Sequence, residues 1–309
     1  MKMKLLKELI EIRGASGDES RVRDFVIDYI NKNENNWLVK PQLFYGDNFQ
    51  DALILVFGQP RTAIFAHMDS IGFTVGYDKN LIKIGGPRTI DGIQLVGSDS
   101  LGEIETELMV IEDRDGSVDL QYVFEREIDR GTILTFKPNF RETDDFIQSP
   151  YLDNRLGMWN ALKVAETLEN GAIVFSTYEE HGGNSVGFCG KFLHENYGLR
   201  KALISDITWV TEGVPHKKGV AISMRDSSVP RRSFLNQIIE LAKKSGINYQ
   251  LEVESAGGSD GSTLQKSDLP FDWCFIGAAE DNVHSPDEIV AKFDIMCMVE
   301  LYKYLMQNL

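Results

Sequence analysis

The sequence predicts an α/β protein: a mixed sheet sandwiched by helices, with a small all-β domain inserted into it. Three observations lead there. Continuous apolar runs at 52–57, 62–66, 172–177, 202–207 and 273–276 have the composition of strands buried on both faces. Segments of helical period lie among the later runs, the alternation an α/β sheet requires. Between about Phe73 and Pro138 the texture changes to short β-prone runs with no helical period.

Taken in order, Leu5, Leu6, Leu9 and Ile10 recur at helical spacing, with Gly14 as a stop. A second helix is expected from Ser16-Gly17-Asp18, with Val22, Phe25, Val26, Tyr29 and Ile30 on one face. The runs 52–57 and 62–66 read as strands joined by a turn at Gly58-Gln59-Pro60-Arg61. Leu81-Ile82-Lys83-Ile84, Leu108-Met109-Val110-Ile111 and Thr132-Ile133-Leu134-Thr135-Phe136 supply strands of the insertion, punctuated by Gly85-Gly86-Pro87 and Asp115-Gly116. The expected division is a host α/β domain from 1–72 and 147–309, with the inserted β domain at 73–146. After Ser149-Pro150 come a helix at 156–168, strands at 172–177 and 202–207, a helix at 234–244, a strand at 273–276 and a closing helix from about Glu288.

Composition excludes several functions. A formal net charge of −15 over 309 residues repels nucleic-acid backbones and anionic membrane surfaces, so neither is an expected partner. No apolar span is long enough to cross a bilayer, and the N-terminal Met1-Lys2-Met3-Lys4-Leu5-Leu6-Lys7-Glu8 has no signal-peptide core. The three cysteines, Cys189, Cys274 and Cys297, are odd in number and show no CxxC spacing, which points to a reducing cytoplasm.

The chemistry-bearing residues sit at strand ends. Ile64-Phe65-Ala66-His67-Met68-Asp69 delivers a histidine and, two residues later, an aspartate, which in an extended strand share one face and one pocket. Asp153 opens a helix, where its ordinary role is an N-cap. Glu179-Glu180 follows an apolar strand, Asp206 ends another, and His284 follows a third. In α/β sheets ligands gather beyond the carboxyl ends of strands. Imidazoles and carboxylates without thiolates suit zinc, manganese or cobalt, and several carboxylates with two separate histidines point to two ions. Arg225 and Asp226 are further candidates for the pocket, whereas His194, His216 and Arg231-Arg232 read as surface groups.

In this order, Ala66-His67-Met68-Asp69-Ser70-Ile71-Gly72, Leu152-Asp153-Asn154-Arg155, Glu179-Glu180, Asp206 and His284-Ser285-Pro286-Asp287-Glu288 resemble the dinuclear metallo-aminopeptidases. The likeness is greatest to the glutamyl and deblocking aminopeptidase family that forms tetrahedral particles. Gly257-Gly258-Ser259-Asp260-Gly261 resembles that family's substrate-side loop, and the inserted β domain falls where the family has its cap. The resemblance implies a zinc-exopeptidase-like fold and two divalent ions per chain, zinc first, with cobalt or manganese as alternatives. It places His67 and Asp206 on one ion, Glu180 and His284 on the other, and Asp153 between them. Glu179 would be the general base and Asp69 the group that orients His67. Ser70, Asn154 and His181 depart from the family's usual residues, and none of them is a ligand.

The implied activity is hydrolysis of N-terminal residues from peptide substrates by a homo-oligomer, possible up to a dodecamer. A dinuclear carboxypeptidase or amide deacylase is the alternative, since related enzymes reuse these ligands. A metal-holding assembly protein without catalysis is the reading from a different class.

Overall fold

The computed structural model describes residues 3–112, 116–183 and 185–309 of the chain. Asp115 of the expected Asp115-Gly116 turn and Met1-Lys2 of the N-terminal reading lie outside them. Helices α1 (Lys4–Ile10) and α2 (Ser20–Asn33) precede strands β1 (Gln42–Gly46), β2 (Gln50–Phe57) and β3 (Ala63–His67). Then come β4 (Gly72–Val75), β5 (Leu81–Ile84), β6 (Gln94–Asp99), β7 (Gly102–Glu112), β8 (Val118–Val123) and β9 (Ile133–Phe136). The chain continues through β10 (Arg141–Glu142), β11 (Phe146–Ser149), α3 (Leu152–Ala165), β12 (Gly171–Ser176) and α4 (Ser185–Tyr197). It closes with β13 (Lys201–Trp209), β14 (Val220–Ser223), α5 (Arg232–Ser245), β15 (Tyr249–Glu252), α6 (Asp260–Lys266), β16 (Asp272–Asp281), β17 (Glu288–Ala291) and α7 (Lys292–Asn308).

Why the apolar runs are continuous is visible in β2. Leu53, Leu55 and Phe57 pack into one core cluster, with α1, α3 and α7, while Ala52, Ile54 and Val56 pack into another, with α4 and α6. Successive side chains point to opposite faces, so a strand covered on both sides is apolar at every position. The strand order of the large sheet is β1-β2-β12-β3-β13-β16-β17-β11-β10, with β14 and β15 attached through β16. Its centre, β12-β3-β13-β16, is parallel, and both flanks are antiparallel. The carboxyl ends of those four parallel strands therefore share one edge.

The runs 52–57 and 62–66 are strands as expected, but they are not neighbours: β12 pairs with both and separates them. The second helix begins at Ser20, after Ser16-Gly17-Asp18, and the closing helix begins at Lys292, because residues 288–291 form β17 against β11 and β16.

Strands β4 to β9 form a second, antiparallel sheet in the order β5-β4-β9-β6-β7-β8. Its core residues Phe73, Leu95, Leu134 and Phe136 are continuous with the first cluster of the large sheet. The Tyr151 hydroxyl donates to Phe136 O at 2.8 Å, and Arg13 pairs with Glu103 at 2.9 Å. After β9 the chain returns to the large sheet through β10 and β11.

Candidate metal centre

Each expected ligand reaches one cavity of about 290 Å³ at the shared carboxyl edge. His67 is the last residue of β3, and Asp206 lies in the carboxyl half of β13. Glu179 and Glu180 occupy a single 3₁₀ turn after β12, and His284 sits in the turn between β16 and β17. Asp153 enters from the first turn of α3, where no side-chain capping bond forms, so it is not the N-cap its position would ordinarily make it.

Asp153 is the centre of the arrangement. Its Oδ1 lies 3.2 Å from His67 Nε2 and its Oδ2 lies 3.3 Å from His284 Nε2. His67 Nε2 also faces Asp206 Oδ2 at 3.7 Å, and His284 Nε2 faces Glu180 Oε2 at 3.2 Å. Two donor groups result, His67-Asp153-Asp206 and Asp153-Glu180-His284, each with its ligand atoms within 4.8 Å of one another. They share Asp153.

The electrostatics call for positive charge. Burial disfavours the imidazolium of His67, yet Asp206, Asp153 and Asp69 hold its pKa well above the ordinary value. Burial likewise opposes His284, whose pKa Asp153 and Glu180 raise to about 11. Burial and the Asp153 charge push Glu180 up to about 7, against the pull of His284 and His67. Glu179 is driven well above the carboxylate range by burial, then by Asp206, Asp260 and Glu180, with His67 opposing. Asp153 Oδ1 and Glu180 Oε1 are buried without a hydrogen-bond partner among the described residues. Unpaired buried carboxylate oxygens beside imidazole nitrogens, as at Asp153 Oδ1 and His67 Nε2, fit divalent cations, which satisfy both.

Asp69 stands behind His67 and does not line the cavity. It is fully buried, and its Oδ1 faces His67 Nδ1 at 3.4 Å. Its oxygens also accept from Glu179 N and Glu180 N, each at 3.0 Å, and from Ser16 Oγ at 2.5 Å. One carboxylate thus holds both the ring and the Glu179-Glu180 turn. The second sheet completes the wall: His284 Nδ1 donates to Gly86 O at 3.2 Å, leaving Nε2 free to act as a ligand. Gly85 beside it has φ +67°, and a Cβ there would press on Ile71 and Glu180. Both facts require glycine.

Several supporting residues have roles that the sequence reading does not assign. Glu288 Oε1 accepts from His284 N at 3.1 Å and Oε2 from Asp153 N at 3.2 Å, so one buried carboxyl fixes two ligand-bearing segments. Glu19, also buried, accepts from Gly17 N and Tyr178 N. The Asp260 carboxyl accepts from Ser176 Oγ. The Arg155 guanidinium is wholly buried and donates to the carbonyls of Leu9, Ile12 and Met68, pinning α1 to the segment after His67.

The residues that depart from the expected family pattern all have structural partners. Ser70 Oγ donates to Gly14 O, Asn154 bridges Ser205 O and Gly157 N, and His181 Nδ1 accepts from Gly85 N. Asp226, Gly257 and Gly258 line the cavity, whereas Arg225 does not. His194 and His216 are half-buried, the first against Leu199 O and the second against the Phe146 ring. Arg231 pairs with Asp272 at the start of α5.

Known proteins share this fold. The aminopeptidase APDkam598 from the archaeon Desulfurococcus kamchatkensis superposes with a TM-score of 0.86 at 20% identity, covering 99% of this chain and 94% of its own. A TET aminopeptidase from the marine sediment archaeon Thaumarchaeota archaeon SCGC AB-539-E09 gives 0.85 at 17% identity, covering 99% and 96%. The Pyrococcus horikoshii TET1 peptidase gives 0.79 at 22% identity, covering 98% of each chain. A family profile described as M42 glutamyl aminopeptidase matches residues 106–301. The chain belongs to the M42 glutamyl aminopeptidase family and is a metal-dependent peptide hydrolase.

Proposed function

We infer that the chain removes N-terminal residues from peptides with two divalent ions held by five side chains. His67 and Asp206 would hold one, Glu180 and His284 the other, and Asp153 would serve both. The observation that carries this reading is the division of the Asp153 carboxylate, one oxygen toward each imidazole. Histidine and carboxylate donors without thiolate favour zinc, with cobalt or manganese also accommodated.

Such ions, when bound, supply polarisation of the scissile carbonyl and a lowered pKa for water. The chain's own contribution is placement of a proton acceptor. Glu179 lines the cavity beside the ligands, on a turn that Asp69 holds through its backbone N–H. Its carboxylate takes the proton of the attacking water and returns it to the leaving amine. Glu179→Gln is expected to keep both ions while turnover falls roughly 10²- to 10⁴-fold. Elemental analysis alongside aminoacyl-anilide hydrolysis tests this: near-normal turnover in a metal-loaded variant would remove Glu179 from the role.

We take residues 73–146 as an inserted cap and oligomerisation domain on a catalytic domain of 1–72 and 147–309. Support comes from Ile82, Val118 and Val123 on the second sheet and Tyr77 in its β4–β5 turn, which leave apolar side chains exposed. The P. horikoshii relative assembles into a tetrahedron or a large octahedral shell, and a homo-oligomer, up to a dodecamer, is proposed for this chain. Light scattering on the intact protein tests it. A cytoplasmic location is proposed from three free, buried cysteines; no helix of the described residues is long and apolar enough to cross a membrane.

A further inference from the structure

Beyond the ligands, the cavity continues along a wall built from the ends of β13, β14 and β15. Asp206 and Thr208 are two residues apart on β13, so they share a face roughly 6.6 Å apart. The Thr208 hydroxyl donates to Glu252 at the end of β15. Glu254 follows on the same extended segment, tied by its N–H to Arg225 O, and Asp226 comes from the loop after β14.

Three carboxylates thus face a space that no lysine or arginine lines. None of them belongs to either donor group around Asp153, so cations bound there would leave these charges unmatched. Asp226 is 8% exposed, and its Oδ1 accepts from Ser228 N at 2.6 Å. The neighbouring Arg225 turns its Nε to the main-chain carbonyl of Asp226 and does not line the cavity, although its charge pulls the Asp226 carboxyl down against burial. Burial raises the carboxyls of both Asp226 and Glu252, a cost that an incoming cation would offset. The lining also includes the apolar residues Ile207, Trp209 and Phe275. An unbranched aliphatic stem ending in a cation matches this lining.

Resting on the aminopeptidase reading, we propose that Asp226, Glu252 and Glu254 form the pocket for the side chain of the substrate's N-terminal residue and select lysine or arginine. An N-terminal glutamate would meet three like charges at the same wall.

The test uses the full-length, metal-loaded protein with p-nitroanilides of lysine, arginine, leucine, alanine and glutamate. Lysine and arginine are expected to exceed leucine in kcat/KM by about tenfold or more, the value of one charge-assisted hydrogen bond. Glutamate is expected to be the poorest. Asp226→Asn and Glu254→Gln should each lower the lysine-to-leucine ratio, and lysinamide should inhibit the unaltered enzyme more strongly than leucinamide. Glu254 is half-buried, so its variant folds even if Asp226→Asn does not. Preferred cleavage of leucine, alanine or glutamate, or a ratio unmoved by the folded variants, would overturn the pocket while leaving the aminopeptidase intact. Cleavage of no anilide by protein that holds its metal would overturn both.

Discussion

Asp69→Asn isolates the group that joins the metal centre to the turn bearing Glu179. The wild-type carboxylate accepts from Glu179 N on Oδ1 and from Glu180 N and Ser16 Oγ on Oδ2. An amide replaces one acceptor by a donor. In the better orientation the NH₂ faces Glu179 N, leaving that N–H unpaired at a cost of about 1–3 kcal/mol. The two remaining bonds lose charge assistance, adding about 1 kcal/mol, so destabilisation of roughly 2–4 kcal/mol is expected. His67 Nδ1 keeps the Asp69 main-chain oxygen at 3.2 Å, so the ring is loosened without being freed. Metal affinity should fall about 10- to 100-fold. Urea unfolding measures the first quantity, and competition with a chromophoric chelator measures the second. A variant within about 0.5 kcal/mol of wild type with unchanged metal affinity would refute the assignment of Asp69 as the common support.

Other perturbations follow from the same geometry. Glu288→Gln should weaken metal binding by about tenfold or more, since an amide cannot accept from both His284 N and Asp153 N; chelator competition again reads it. Gly157→Ala places a methyl group against Asn154 Oδ1 and Ser205 O and should cost roughly 1–3 kcal/mol or more in unfolding free energy. Burial and Asp69 raise Glu19 from 4.5 to about 7. The folded protein therefore keeps a proton that the unfolded chain releases between those values, and this contribution to stability declines as pH rises through the window and levels off above 7. Glu19→Gln removes the slope, so the wild-type advantage in Tm should shrink from pH 5 to pH 7.5; a constant or growing advantage contradicts it.

The proposed ligands and the buried strands stand out in the sequence for a shared reason. Strands covered on both faces are apolar at every position, so a polar residue at the end of one, such as His67 or Asp206, stands out against its own strand. The order of strands was not readable: β12 slots between β2 and β3 only after the chain has made the second sheet and returned. Residues 288–291 read as helix because their apolar pattern runs into that of α7, although pairing with β11 and β16 makes them a strand. The supporting groups were hidden more deeply. Ser16 meets Asp69 across 53 residues of chain, and Glu288 and Arg155, though inside the quoted motifs, have backbone partners that the sequence does not reveal. Only tertiary packing decides that such a charge is buried and holds a backbone in place.

The bond from His284 Nδ1 to Gly86 O joins the turn between β16 and β17 to the loop that follows β5 of the second sheet. It fixes which nitrogen of that imidazole carries hydrogen, so the Nε2 lone pair is presented to a cation only while the second sheet is docked. With the proposed cation on His284, docking and metal occupancy would be linked equilibria, each stabilising the other by the same factor. A chain stripped of metal should show faster amide exchange around Gly85-Gly86, and a graft that replaces the second sheet inherits the task of supplying that carbonyl.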